Sequence, residues 1–156
     1  MKITKILMLV IIAFLTGCVT APVVEIKPFD KSVSFEGDFD ESWGKLVRFL
    51  STNDVNIGTI EKDSGLITLS GDNLSAGLIQ EYCDAAAPFM WVLSSGLAKG
   101  SVLMTNEDGF ITATVNVKFN ATSSYTDYMG GSGTKYSTTS CNSRGAFETA
   151  LLGSLQ

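Results

Sequence analysis

The stretch Gly109-Phe110-Ile111-Thr112-Ala113-Thr114-Val115-Asn116-Val117-Lys118-Phe119-Asn120 decides the fold class. Ile111, Ala113, Val115, Val117 and Phe119 alternate with Thr112, Thr114, Asn116, Lys118 and Asn120, and a period of two gives a strand with one buried and one solvated face. Such a strand belongs to an antiparallel sheet, and Asn106-Glu107-Asp108-Gly109 is the turn leading into it. The two acids there are read as turn chemistry rather than catalysis. Outward on the N-terminal side, Val55 to Ile60 and Gly65 to Ser70 are β-rich runs joined by Glu61-Lys62-Asp63-Ser64, a hairpin pattern. Val33 to Glu36 alternates as a first short strand. Between these, Phe39, Trp43, Leu46, Val47 and Leu50 recur at helical spacing, which predicts an amphipathic helix over about 39–53 with Asp38 or Asp40 as its cap. Asp38, Asp40 and Glu41 are thereby read as first-turn carboxylates facing the helix dipole, not as a metal or acid-base cluster.

On the C-terminal side, Gly130-Gly131-Ser132-Gly133 precedes a strand over Thr134 to Ser140; the loop lacks the Lys-Ser/Thr that a phosphate-binding loop requires. A closing helix over about 144–155, capped by Asn142 or Ser143, gathers Phe147, Ala150, Leu151 and Leu155 on one face. Leu78 to Cys83 reads as a further strand. Taken together these elements predict an α+β domain over residues 32–156, an antiparallel sheet of about five to six strands packed against the two helices.

One segment follows neither period. Ala85-Ala86-Ala87-Pro88-Phe89-Met90-Trp91-Val92-Leu93 is apolar throughout, and Pro88 suits the first turn of a helix running to about Ala98. Either this segment covers the open face of the sheet, or Phe89, Met90 and Trp91 anchor a partner, a lipidic ligand or a bilayer. Tyr125, Tyr128 and Tyr136 form a second aromatic group, readable as a contact surface or as cross-strand pairs.

The N-terminus reads as an address. Lys2 and Lys5 precede an apolar run from Ile6 to Leu15, about the length of a signal h-region and about half of what a bilayer span needs. Leu15-Thr16-Gly17-Cys18 resembles the lipobox of bacterial lipoproteins. The resemblance implies a cleaved signal peptide over 1–17, a diacylglycerol thioether on Cys18 and acylation, for instance by palmitate, of the new amino group. Two or three acyl chains, at about 0.8 kcal/mol per buried methylene, hold a soluble domain at a membrane. With Val19 rather than Asp after the cysteine, the resemblance further implies the outer membrane, with the domain facing the periplasm. Residues 18–31 carry Pro22 and Pro28 without a clean period and form an extended tether.

Composition narrows the function. The chain has 156 residues and a formal charge of −5; without Lys2 and Lys5, nine bases face sixteen acids. A balance of −7 argues against a nucleic-acid partner. There is no His, which removes Ser-His and Cys-His nucleophile pairs and most transition-metal sites. No spacing links the remaining Ser, Asp, Glu and Lys into a nucleophile and its base, so neither an enzyme nor a cofactor nor a metal is expected. With Cys18 acylated, Cys83 and Cys141 remain as a pair, and an exported pair is usually a disulfide. The redox alternative lacks a C-x-x-C and a flanking base.

Trp43, Lys62-Asp63-Ser64-Gly65-Leu66-Ile67 and Cys141-Asn142-Ser143-Arg144-Gly145-Ala146-Phe147-Glu148, a C-x-S-x-G-x-x-E pattern, together resemble a group of proteobacterial lipoproteins similar to the BamC helix-grip domains of the outer-membrane barrel-assembly machinery. This implies a helix-grip fold, no catalytic motif, and an accessory or assembly role with an outer-membrane protein as partner. The alternative is a carrier holding a small apolar or lipid ligand between sheet and helix.

Overall fold

The computed structural model describes residues 28–53, 55–71, 73–127 and 133–156. The stretch read as a signal peptide, Cys18 and most of the expected tether lie outside them, as does Tyr128. The described elements run β1 (Ser32–Glu36), α1 (Phe39–Thr52), β2 (Ile57–Glu61), β3 (Leu66–Leu69), β4 (Asn73–Ser75), α2 (Ala76–Tyr82), β5 (Val92–Glu107), β6 (Phe110–Thr126), β7 (Thr134–Cys141) and α3 (Ala146–Gly153). All strand pairings are antiparallel. The sheet has seven strands in the order β1-β6-β5-β3-β2, with β4 alongside β5 and β7 alongside β6. The α+β architecture, a sheet packed against helices, is as expected; the sheet has more strands than the five to six read from the sequence.

Its spine is the β5–β6 hairpin. Asp108 and Gly109 both have positive φ, 52° and 84°, which matches the right-handed twist of the flanking strands at a two-residue turn. The turn sets Glu107 opposite Phe110, and that register runs to Val92 opposite Ser124 with one interruption. The interruption is a bulge between Leu93 and Ser95, where Ser94 Oγ donates to the Thr122 carbonyl at 2.9 Å. Ile111, Ala113, Val115 and Phe119 of β6 are buried as their alternation predicts. The opposite face is held by hydroxyl pairs: Ser32 with Thr114 at 3.0 Å, Ser34 with Thr112 at 2.8 Å, and Thr122 with Thr138 at 3.0 Å.

The helices cover the inner face. In α1, Trp43, Leu46 and Leu50 are buried in one core with Ile67, Val102, Met104 and Ile111. Asp38 caps the helix, accepting from the Glu41 N–H at 2.8 Å, while Asp40 pairs with Lys62 of the β2–β3 turn at 2.8 Å. Glu41 pairs with Lys45 one turn along the helix, so the acids of this first turn are spent on capping, on docking the hairpin and on a pair within α1. That turn closes on Gly65, whose φ of 67° and close approach to the Met104 carbonyl leave no room for a Cβ; the Gly65 carbonyl accepts from Met104 N–H at 2.8 Å.

Two expectations are corrected. Leu78 to Cys83 is not a strand. Leu78 to Tyr82 is most of α2, started by Ser75, whose side chain accepts from the Leu78 N–H, with Ile79 fully buried against Gly96, where any side chain would collide with it; only Cys83 is extended, in a single bridge to Ser143. The helix read from Pro88 to Ala98 does not form. Pro88 instead opens a turn closed by Trp91 N–H donating to the Pro88 carbonyl at 2.9 Å, and Val92 onward is strand. The closing helix is also shorter than 144–155. It begins after Gly145, a left-handed N-cap that has no side chain to make a capping bond, while the Ser143 hydroxyl bonds Glu148 and the Gly145 N–H. Phe147, Leu151 and Leu155 are buried, and Ala150 is exposed.

Candidate functional site

The turn that interrupts the apolar stretch before β5 stands out of the molecule. Phe89 is 93% exposed, Met90 64% and Val92 68%. Trp91 is half-buried, its ring 5.8 Å from that of Tyr125, so it forms the base on which the turn sits. Tyr136, 69% exposed, shares the outer sheet face with Val92, since both lie opposite Ser124. Tyr125 lies one residue further along β6 and so on the other face; the structure does not unite Tyr125 and Tyr136 into one surface. Among the described residues β7 pairs only with β6, which leaves an open strand edge two strands across from this turn.

Met90 has a φ of 66°. The third position of such a turn favours glycine or asparagine, because a Cβ there meets the following backbone. A long apolar side chain stands where local chemistry asks for none, and its neighbour Phe89 is almost wholly in water. Isolated exposed apolar residues are common on proteins, whereas a contiguous group rimmed by polar strands marks contact surfaces. The sequence pointed to Phe89, Met90 and Trp91; it did not reveal Met90's backbone, Val92's exposure or Trp91's supporting role.

Cys83 and Cys141 are joined in a disulfide with Cα atoms 5.8 Å apart. Around it the C-x-S-x-G-x-x-E stretch forms a clasp. Ser143 Oγ donates to Glu148 Oε2 at 2.8 Å and accepts from Gly145 N–H at 3.0 Å. Arg144 N–H donates to the Tyr82 carbonyl, and Asp84 N–H to the Asn142 carbonyl. The Asp84 carboxylate accepts from the Asn142 N–H and side-chain amide at 2.7 and 3.0 Å. Gly145, with φ 81°, lets the Phe29 ring lie directly on its backbone. Each residue of the pattern thus fastens α2, α3 and the end of the tether together. Glu148 is 1% exposed, and its Oε1 has no hydrogen-bond partner.

The space between sheet and helices is closed. Where Val55, Leu74, Tyr82, Ala98, Phe119 and Phe147 meet, about 10 Å³ remains, room for roughly one water. Aromatic contacts fill this region: Phe147 lies 5.5 Å from Tyr82 and 6.3 Å from Phe119. Burial, and secondarily the Glu81 carboxylate, raise the Tyr82 hydroxyl above its usual pKa. A wider, acidic cleft of about 710 Å³ lies at the far end of the sheet among Phe39, Asp40, Lys62, Asp63 and Glu107. No group of three or more His, Cys, Asp or Glu positioned for a metal occurs among the described residues, and none of their helices is long and apolar enough to cross a membrane.

No family model matches the chain, and no curated protein matches it significantly.

Proposed function

We propose that this protein is an outer-membrane lipoprotein anchored through Cys18, its domain in the periplasm, acting without catalysis as an accessory or assembly factor that holds a protein partner. The observation that carries the reading is the turn Phe89–Val92, an exposed apolar group kept in place on a backbone conformation unfavourable to Met90. Its cost is sustained by the folded domain rather than relieved, as at sites shaped by contact with something else. Phe89 and Met90 supply large, adaptable anchors, and the open edge of β7 offers main-chain hydrogen bonds to a partner strand. The resemblance of Trp43, the Lys62–Ile67 hairpin and the Cys141–Glu148 clasp to BamC-like lipoproteins favours a partner among outer-membrane proteins.

The carrier alternative requires a ligand-sized space between sheet and helix. Ligand sites usually hold about 300–1,000 Å³, and the closed interior here speaks against it.

A photo-crosslinking amino acid placed at Phe89 in intact cells tests the assignment. The expected product is an adduct with one outer-membrane protein, absent when the probe stands at Thr59. Adducts of equal yield from both positions would sink the proposal. Anchoring is tested separately: Cys18→Ala should leave the protein unacylated, and acylation persisting in that variant would disprove the lipobox.

A further inference from the structure

The outer edge of β6 is covered discontinuously. β1 pairs with Phe110 to Thr114, Lys31 carries the pairing one residue further by accepting from Val115 N–H at 2.8 Å, and β7 takes over only at Phe119. Among the described residues no strand lies beside this edge from Asn116 to Lys118, and a cleft of about 470 Å³ opens at the gap. Lys31, Lys99, Lys118, Asn120, Ser140 and Asn142 are among the residues that line it.

Three ammonium groups at one cleft are unexpected in a chain whose formal charge is −5. Lys99 and Lys118 are moreover direct partners in the β5–β6 register, an arrangement in which like charges destabilise a sheet. Among the described residues none of the three is in an ion pair with a carboxylate. Among the described residues the ion pairs are Lys45 with Glu41 and Lys62 with Asp40, and both involve α1. Asp84, which reaches Asn142 at the rim, is already bonded to its N–H and amide. Lys31 is held over the Phe29 ring, its Nζ 5.9 Å from the centroid. Phe29, in turn, is fixed on Gly145.

We propose that this cleft binds a phosphate group. Ammonium groups are compact charges with three donors each, suited to the several acceptor oxygens of a phosphate. The volume falls in the range of ligand sites, about 300–1,000 Å³, so a phosphate carrying a glycerol or sugar fits as well as the bare ion. The cleft also lies where the tether enters the fold. If Cys18 is acylated, only ten residues, 18–27, separate the lipid from the described chain, which brings the lysines near the headgroups of the same leaflet. Only this lipid source rests on the proposed anchoring; the phosphate site stands on the cleft alone.

The test is a titration of the full-chain protein, held in a neutral maltoside detergent, with inorganic phosphate and with dihexanoyl-phosphatidylglycerol, read by backbone amide NMR at Val117 and Asn142. Saturable shifts at both amides are expected, weakened at least tenfold in the double variant Lys99→Gln/Lys118→Gln and unchanged in Lys45→Gln. Phosphatidylglycerol binding tenfold tighter than phosphate identifies a lipid headgroup, and equal binding identifies the free ion or a soluble ester; either result supports the site. No saturable shift with either ligand, or shifts that survive the double variant, would overturn it. The crosslink at Phe89 is independent of these lysines, so the two proposals fail separately.

Discussion

Met90 is where residue-level chemistry and folded structure disagree. A left-handed conformation costs an L-residue about 1–2 kcal/mol, while replacing it by glycine adds about 0.5–1 kcal/mol of unfolded-state entropy. Met90→Gly is therefore expected to leave stability unchanged or raise it by up to about 1 kcal/mol, although it removes a whole apolar side chain. Urea denaturation checks this; a loss of 2 kcal/mol or more, as at a core methionine, would mean that Met90 is packed rather than presented. Tyr82 makes a prediction in pH. Its folded-state pKa lies above the ordinary 10.0, so the folded chain keeps the phenolic proton longer than the unfolded one. The associated stability is complete below the unfolded pKa and is lost as pH rises through the folded one. Unfolding free energy should fall on the alkaline side of pH 10, and Tyr82→Phe, which retains the ring contacts with Phe119 and Phe147, should flatten that decline. Equal slopes in the two proteins would show that other groups govern alkaline unfolding.

At the scale of elements, the disulfide closes a separation of 58 residues, worth about 4 kcal/mol in the chain-entropy account. The double variant Cys83→Ser/Cys141→Ser should lose about that much in guanidinium unfolding and keep the same fold by circular dichroism. Elements with an unbroken period were legible in the sequence: α1 from Phe39 to Leu50, the β2–β3 hairpin closing on Gly65, and β6 with its alternating Ile111 to Phe119. The long β5 was not, because Gly96 and Gly100 occupy inner positions, Leu97 and Leu103 outer ones, and the bulge at Ser94 reverses the alternation. α2 is only seven residues long, so Leu78 to Cys83 lacked enough turns to separate a period of 3.6 from one of 2. The candidate contact turn could be found only as a failure of pattern at Ala85 to Leu93. The lysine cleft could not be found at all, since Lys31, Lys99 and Lys118 meet only after three strands have assembled.

The whole molecule is polar along the β5–β6 axis. Glu36, Asp40, Glu41, Glu61, Asp63 and Glu107 gather at the end where the β2–β3 and β5–β6 turns meet the start of α1. Phe89 to Val92 lie at the opposite end of β5, whose sixteen residues span roughly 50 Å at about 3.3 Å per residue. A molecule tethered through Phe29 to a surface bearing anionic lipids would be turned by that surface's field with its acid end outward. The same axis has a consequence for the order of assembly. β5 and β6 are joined by the two-residue Asp108–Gly109 turn, so their register can close like a zipper on the microsecond scale of an isolated hairpin. β1, by contrast, meets β6 across 78 to 82 residues of chain at its hydroxyl pairs, and loop closure of that length comes late. Amide hydrogen exchange should find the centre of the hairpin slowest, with β1 and α3 exchanging well before it; uniform protection across β1 and β6 would refute that order. The clasp of Phe29 on Gly145 is thus the final seam of the fold, and under stress the domain should come apart first at the end joined to its tether.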